Sequence, residues 1–302
     1  MNTARAFDDA HERAALVHLL TRDRSLKWAS LRDHLVVGEL RPSELLGDEA
    51  ELQRGFNMLE QWMARATGSH FYSYLDSGYP SQLRSVWDFP PFVFIKGDES
   101  PLHRPEGDPG VCIVGSRKPA PASVEAARFI ARGLIAEGVT IVAGLAEGID
   151  QAAHRAALEK NARTVGVIGT GIDRYYPASS KPLQRQMEDG AGMVLSQFMP
   201  GASPTQYSFP MRNGTMSAYG AATIIIEAAE KSGTRHQARQ AVRHGRPLIL
   251  STQVAAQTTW GRALVEDPLI DARVARTPQH AVDLAFDVFE RGVSPDLLTS
   301  TA

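Results

Sequence analysis

The sequence predicts an α/β protein in which a mostly parallel sheet is flanked by helices. Short apolar runs rich in Val and Ile recur along the chain and end in Gly or another small residue. Stretches with helical spacing separate these runs, and this alternation is typical of parallel sheets. The candidate strands are 111–115, 139–143, 164–169, 192–196, 222–227 and 247–251, and the candidate helices are 123–137, 151–160, 182–188, 237–244 and 279–289.

The composition is that of an ordinary globular protein. The 302 residues are 43% hydrophobic and 22% charged, and the formal net charge is −2, so a basic surface would have to be local. The single cysteine, Cys112, excludes an internal disulfide and fits a reducing compartment. No apolar run approaches the ~20 residues that span a bilayer, and no signal pattern opens the chain. We therefore expect a cytoplasmic protein with no membrane partner.

The chain divides into a small helical domain, 1–68, and a sheet domain, 69–302. The first part carries three apolar stripes at helical spacing, around Leu16, Leu31 and Trp62. These helices either pack as a cap on the sheet or bind a partner. Prolines and glycines in 69–110 exclude one long helix, and this connector is expected to add edge structure through the strand 92–97. The last ten or so residues resemble a frayed tail.

Two loops after predicted strands have the composition of anion sites. The first is Gly115, Ser116, Arg117 and Lys118, which combines a small residue, a hydroxyl and a guanidinium. The second opens a helix, where backbone N–H groups and the helix dipole favour a phosphate. It consists of Lys231, Ser232, Gly233, Thr234 and Arg235. For the first loop, an ordinary turn with a solvated arginine is the alternative.

Three further segments supply candidate contacts. Gly144 and Gly148 allow a close backbone approach, and Asp150 between them and the next helix is expected to cap that helix. Gly169 ends the third strand, and Tyr175 or Tyr176 in the loop beyond it could line the crevice, where a base could stack on the ring. Arg212 and Asn213 could bind a phosphate and a base or sugar. Each of these segments could also be an ordinary turn.

The sequence shows no catalytic constellation. The nine histidines are scattered, and neither a metal-ligand spacing, a GxSxG elbow nor a GxxxxGK[ST] loop is present. A single glycine after the first strand does not make a dinucleotide fingerprint. We therefore expect a binding protein without a metal or cofactor, and not an enzyme.

Six segments in this order resemble the DNA-processing protein A (DprA/Smf) family. They read IVGSRKP, AGLAEGIDQAAHRAAL, VIGTGIDRYYP, SQFMPGASP, FPMRN and IIIEAAEKSGT, at 113–119, 143–158, 167–177, 196–204, 209–213 and 224–234. The resemblance covers roughly residues 70–270. Departures such as Ser196-Gln197, where a Ser-Glu pair is typical, indicate a divergent member, and the family's C-terminal winged-helix domain is not apparent.

The resemblance implies an extended Rossmann-like domain that binds single-stranded DNA, forms a homodimer and helps to load a RecA-type recombinase during DNA uptake or recombination. It also implies that residues 1–68 form a SAM-like helical domain. The alternative is a nucleotide-sensing or nucleotide-hydrolysing protein related to phosphoribohydrolases, which share the core but carry a PGGxGTxxE run where this chain has KSGTRHQA. A scaffold with a vestigial pocket is a third interpretation.

Overall fold

The structure, a computed structural model, describes residues 9–23, 28–103, 108 and 110–292. In these residues nine strands form one sheet in the order β1-β2-β6-β5-β4-β3-β7-β8-β9. The strands are β1 (His70–Ser73), β2 (Phe92–Gly97), β3 (Gly110–Val114), β4 (Thr140–Ala143), β5 (Thr164–Val167), β6 (Gly192–Ser196), β7 (Ala222–Ile225), β8 (Leu248–Ser251) and β9 (Ala272–Ala275). Strands β3 to β9 pair in parallel, which confirms the predicted fold class.

The connector before β3 supplies the antiparallel edge of this sheet. Strand β2 pairs with β6, with Phe94 opposite Ser196, and β1 pairs with β2 on its outer side. The prediction of edge structure in this segment is confirmed for 92–97. Strand β1 was not predicted.

Helices cover both faces of the sheet. They are α1 (Asp9–Arg22), α2 (Trp28–Arg32), α3 (Glu49–Arg65), α4 (Pro121–Ala136), α5 (Ile149–Leu158), α6 (Lys181–Glu188), α7 (Ser208–Tyr219), α8 (Thr234–Arg243), α9 (Thr252–Gln257), α10 (Thr259–Glu266) and α11 (Pro278–Gly292). Alternate residues of β3 separate the two layers because side chains on a strand point to opposite faces. Val111 and Ile113 join the core under α4, α5 and α11, whereas Cys112 and Val114 join the core under α7 and α8.

The N-terminal helices pack on the antiparallel edge of the sheet. Trp62 of α3 is buried, and its ring lies 5.3 Å from that of Phe92 and 6.1 Å from that of Phe94. The apolar stripe of α1 is buried at Leu16 and Val17. This packing agrees with the interpretation of these helices as a cap, and the boundary between 1–68 and 69–302 stays a prediction.

Several predicted elements differ from the observed ones. No helix was predicted over Ser208–Tyr219, where α7 forms, or over 252–266, where α9 and α10 form. Strand β9 was also missed. Helix α8 begins at Thr234, three residues before its predicted start, and α5 begins at Ile149 rather than 151. The predicted frayed tail lies outside the described residues beyond position 292.

Candidate functional site

A cleft of about 500 Å³ opens at the carboxyl ends of the central strands. Strand β3 has β4 on one side and β7 on the other, so the chain connections leave it in opposite directions at this point. Crevices at such switch points are where open α/β sheets bind ligands. The walls come from the loop after β3, the first turns of α5 and α8, and one side of α7.

The loop after β3 brings two cations to the cleft. Gly115 is required there because a Cβ would lie 2.6 Å from the Ile149 side chain. The hydroxyl of Ser116 accepts the backbone N–H of Lys118 at 3.1 Å, which fixes the turn. Arg117 and Lys118 are exposed, and neither forms an ion pair within the described ranges. Both therefore present a positive charge to the cleft, and the charge of Arg117 also acts on Asp150, whose pKa it lowers.

Arg212 is the buried cation of the site. It lies on α7 with 7% of its surface exposed, and its Nη1 donates to the carbonyl oxygen of Val167 at 3.1 Å. The guanidinium rests on the backbone of Gly144, where a Cβ would lie 1.3 Å from Nη1. Burial lowers the pKa of Arg212, with Asp150 opposing and Arg117 adding to the effect. The guanidinium of Arg212 is thus held in place against the backbone of Gly144.

Asp150 lies within the first turn of α5 and does not cap it, because the N-cap position is Gly148. Its Oδ2 instead accepts the backbone N–H of Gly144 at 2.9 Å. Burial raises the pKa of Asp150, while Arg212 and the N–H groups of Gly144 and Ala146 lower it. This carboxyl group therefore orders the loop after β4 and faces the charge of Arg212.

The loop before α8 forms the opposite wall. Its hydroxyls are ordered: the Thr234 N–H donates to the Ser232 hydroxyl oxygen at 3.2 Å, and the Thr234 hydroxyl donates to the Gly115 carbonyl oxygen at 3.3 Å. The second bond joins this loop to the loop after β3. Lys231 is exposed and has no ion pair in the part of the chain that the structure describes. Helix α8, which is ten residues long, begins after this loop and has its N-terminus at the cleft.

A smaller pocket of about 100 Å³ adjoins the cleft and shares Arg117 and Arg212 with it. Its aromatic wall is a pair of rings, Tyr176 and Phe209, whose centroids are 5.6 Å apart at 43°. Tyr176 keeps 43% of its surface exposed. A flat ring could therefore reach this aromatic surface beside two guanidinium groups.

The structure brings most of the predicted residues together. Ten of them line the cleft, namely Gly115, Ser116, Arg117, Lys118, Arg212, Asn213, Lys231, Ser232, Gly233 and Thr234. Gly144 and Tyr176 line the smaller pocket.

The remaining three predicted residues have other positions. Gly148 and Gly169 support the walls: a Cβ on Gly148 would lie 2.3 Å from the Ser116 carbonyl oxygen, and one on Gly169 would lie 3.1 Å from the Phe209 ring. Arg235 does not line either pocket, and its Nε is buried.

Several lining residues were not among the predicted contacts, and Phe209 and His236 are two of them. Phe209 precedes Arg212 by three residues, so a helix places both on one face, and this signal is visible once α7 is recognised. His236 lies in the first turn of α8, whose start was predicted too late.

No group of three or more potential metal ligands occurs within the described ranges. In the same residues, no helix has the length and hydropathy needed to cross a bilayer.

Comparisons with known proteins identify a family and several relatives. The sequence profile of the DNA recombination-mediator protein A family matches residues 70–282. The chain is 37% identical over 178 residues to DNA processing protein DprA of Streptococcus pneumoniae, covering 59% of this chain and 61% of that protein. It is 34% identical over 171 residues to Protein Smf of Escherichia coli, covering 57% of this chain and 45% of that protein. The chain thus matches about half the length of these curated relatives.

Two solved structures share the fold over most of the chain. The X-ray structure of DNA processing protein A from Streptococcus pneumoniae superposes with a TM-score of 0.69 at 27% identity, covering 92% of this chain and 98% of that one. DNA processing protein A from Helicobacter pylori, whose structure is described in terms of its single-stranded DNA binding mode, gives 0.62 at 25% identity, covering 72% and 96%. Because the family profile matches most of the chain, the chain belongs to the DNA recombination-mediator protein A family.

Proposed function

We propose that the cleft binds single-stranded DNA through its phosphates. The observation that carries this proposal is the convergence of Arg117, Lys118, Lys231 and Arg212 on one cleft, where the first three have no ion pair within the described residues. A local positive surface of this kind attracts a polyanion although the whole chain carries a formal charge of −2. The Helicobacter pylori relative supports the same class of ligand.

The cleft and the smaller pocket bind different parts of the strand, the phosphates and a base respectively. Exposed arginine and lysine side chains hold phosphates, and the fork of Arg212 can donate two hydrogen bonds to one of them. A base turned toward the smaller pocket stacks on Tyr176, and such stacking tolerates any sequence because every base has a π-face. Binding is therefore expected to be tight at low salt and only weakly selective for sequence.

We further propose that the chain acts as a homodimer in the cytoplasm, helps to load a RecA-type recombinase onto DNA during uptake or recombination, and is not an enzyme. Its family membership supports the recombination role. The carboxyl groups that line the two pockets support binding without turnover: Asp150 accepts a backbone N–H, and Glu147 accepts the hydroxyl of Ser179 at 2.6 Å. The hydroxyl that Glu147 accepts belongs to Ser179, which lines neither pocket, so this pair does not face a ligand in the cleft.

The binding proposal is tested by fluorescence anisotropy with labelled oligothymidylate. We expect tight binding that weakens steeply between about 50 and 200 mM salt, in the manner of a phosphate-binding site. Duplex of the same length should bind more weakly, because paired bases cannot reach Tyr176. Failure to bind oligothymidylate at low salt would overturn the proposal.

The recombinase proposal needs its own assay. ATP turnover by a RecA-type recombinase on single strands coated with single-strand-binding protein should rise when this chain is added. An Arg117→Ala variant should give a smaller rise. Light scattering in solution reports the oligomeric state, and a monomer would contradict the dimer.

A mononucleotide is the second candidate ligand, and the size of the cleft favours it, since about 500 Å³ lies within the range of small-molecule pockets. A panel of nucleoside monophosphates competing with labelled oligothymidylate distinguishes the two. Displacement by one nucleotide at micromolar concentration would favour a nucleotide-sensing protein. Displacement by none of them would favour the strand.

A further inference from the structure

A second aromatic and basic surface lies away from the cleft, around Trp87. The ring keeps 53% of its surface exposed, although its neighbours Val86 and Phe89 are buried. Guanidinium carbons lie close to the ring centroid, that of Arg243 at 5.0 Å and that of Arg32 at 5.7 Å. The loop between β1 and β2 thus buries the neighbours of Trp87 and leaves the Trp87 ring exposed to solvent.

Trp87 differs in exposure from the other three tryptophans of the chain. Trp62 and Trp260 are buried, and the half-buried Trp28 donates its Nε1–H to the Phe89 carbonyl oxygen at 2.6 Å. The Trp87 ring is therefore the one that a ligand in solution can reach.

Helix α8 connects this surface with the cleft. His236, Arg239 and Arg243 follow one another at spacings of three and four residues, so they share one exposed face of the helix. His236 lines the cleft, and Arg243 contacts Trp87. The nine steps from Thr234 to Arg243 span about 14 Å, which is room for about four phosphates at the ~3.4 Å spacing of a stacked strand.

The acidic groups near the exposed face of α8 do not neutralise all of its arginine side chains. Asp88 accepts from Nε2 of His244 at 2.7 Å and lies 3.7 Å from Nη2 of Arg243. Glu230 accepts the backbone N–H of Thr259 at 2.7 Å. Arg239 has no carboxylate partner among the residues described, and half of the Arg243 side chain stays exposed.

We propose that a single strand leaving the cleft continues along the exposed face of α8 and stacks a base on Trp87. Arg239 and Arg243 hold the phosphates of this segment, and the base stacks on the indole in place of one of the two guanidinium groups that lie over the ring. Stacking and charge without base-edge contacts make this second segment tolerant of sequence. The inference rests on the binding function proposed for the cleft, and it assigns a separate set of residues to the longer part of the strand.

Strand length separates the two sites in an experiment. Oligothymidylates from about four to about eighteen nucleotides are titrated by anisotropy against the full chain and its Trp87→Ala and Arg239→Ala variants. Both variants should bind the shortest strand as the unchanged protein does. For the longest strand we expect Trp87→Ala to lose about five- to tenfold in affinity, in the lower part of the range for one stacked base.

Two further variants serve as controls. Arg132→Ala removes an exposed charge on α4, which covers the opposite face of the sheet, and it should leave every affinity unchanged. Arg117→Ala should weaken binding at all lengths. Circular dichroism and thermal unfolding verify that each variant is folded.

Tryptophan emission gives a second readout. Long strands should quench emission in the unchanged protein and much less in Trp87→Phe, whereas the shortest strand should quench neither. Two results would overturn this inference and leave the proposal for the cleft intact. In one, Trp87→Ala lowers the affinity equally at all strand lengths. In the other, Trp87→Ala changes no affinity while Arg117→Ala still weakens binding, and the Trp87 surface would then be a candidate site for a protein partner. Failure of the unchanged protein to bind any strand overturns both proposals.

Discussion

The contact between Gly144 and Arg212 makes the sharpest prediction. In Gly144→Ala the new Cβ would lie 1.3 Å from Nη1 and 2.3 Å from Cζ of Arg212. The guanidinium would have to retreat by about 2 Å to restore ordinary van der Waals contact. This movement breaks its hydrogen bond to the Val167 carbonyl oxygen and removes the charge from its place beside Asp150.

The size of the effect follows from the interaction that is lost. Hydrogen bonds of charged groups contribute about 1.5–3 kcal/mol, so the free energy of unfolding should fall by about this amount. If the same guanidinium holds a phosphate, oligothymidylate affinity should fall about ten- to hundredfold. Gly144→Ala should therefore bind as poorly as Arg212→Ala, although it keeps the arginine and the net charge.

Gly214→Ala is the matched control for this prediction. It adds the same methyl group two residues beyond Arg212 on α7, where the nearest atom outside the helix backbone would be the Cδ of Gln240, 3.9 Å from the new Cβ. In a helix interior this change should stabilise the fold by about 0.5–1 kcal/mol and leave binding unchanged. Equal affinities for Gly144→Ala and Gly214→Ala would refute the assignment of Arg212 to phosphate binding.

Three other outcomes are expected. Arg117→Ala should weaken oligothymidylate binding and reduce the slope of log K against log salt by about 0.7, the contribution of one phosphate in a single strand; an unchanged slope would contradict its placement. Tyr176→Ala should cost about 1–3 kcal/mol of binding in the same assay, and Tyr176→Phe should restore most of it because the ring remains. His154 is buried, and desolvation lowers its pKa to about 3, so below pH 6.5 the unfolded chain binds the proton and the folded chain does not. Stability measured by denaturant unfolding should therefore fall by about 2 kcal/mol from pH 7 to pH 5, and this dependence should be smaller in His154→Gln.

The sequence was most informative where local chemistry fixes the backbone. Val111 to Val114 form a fully buried strand, and such strands are recognisable as continuous β-branched runs. Gly115 and Gly144 stand where another residue's atoms touch the main chain, so their position after strands was itself a signal for the cleft.

The elements that the sequence did not predict depend on tertiary contacts or lack a clear local pattern. Helix α7 was missed because Pro210 and Gly214 suggest a turn, yet a proline in the first helical turn removes no hydrogen bond that the helix needs. Strand β9 has only four residues, and one of them is Arg273, which pairs with Asp271 at 2.8 Å. It therefore lacks the continuous apolar run by which the other strands were recognised. The exposure of Trp87 follows from the packing of its neighbours, which no local pattern reveals.

The burial of Arg212 has a consequence for the kinetics of the DNA binding that we propose. Water is removed from this guanidinium when the protein folds, so an arriving strand meets a cation that is already oriented and largely dehydrated. The exposed charges of Arg117, Lys118 and Lys231 act at longer range, and they set how fast a strand arrives. Arg212 acts only on contact and sets how long the strand stays, so changes at these two kinds of cation should appear in different rate constants.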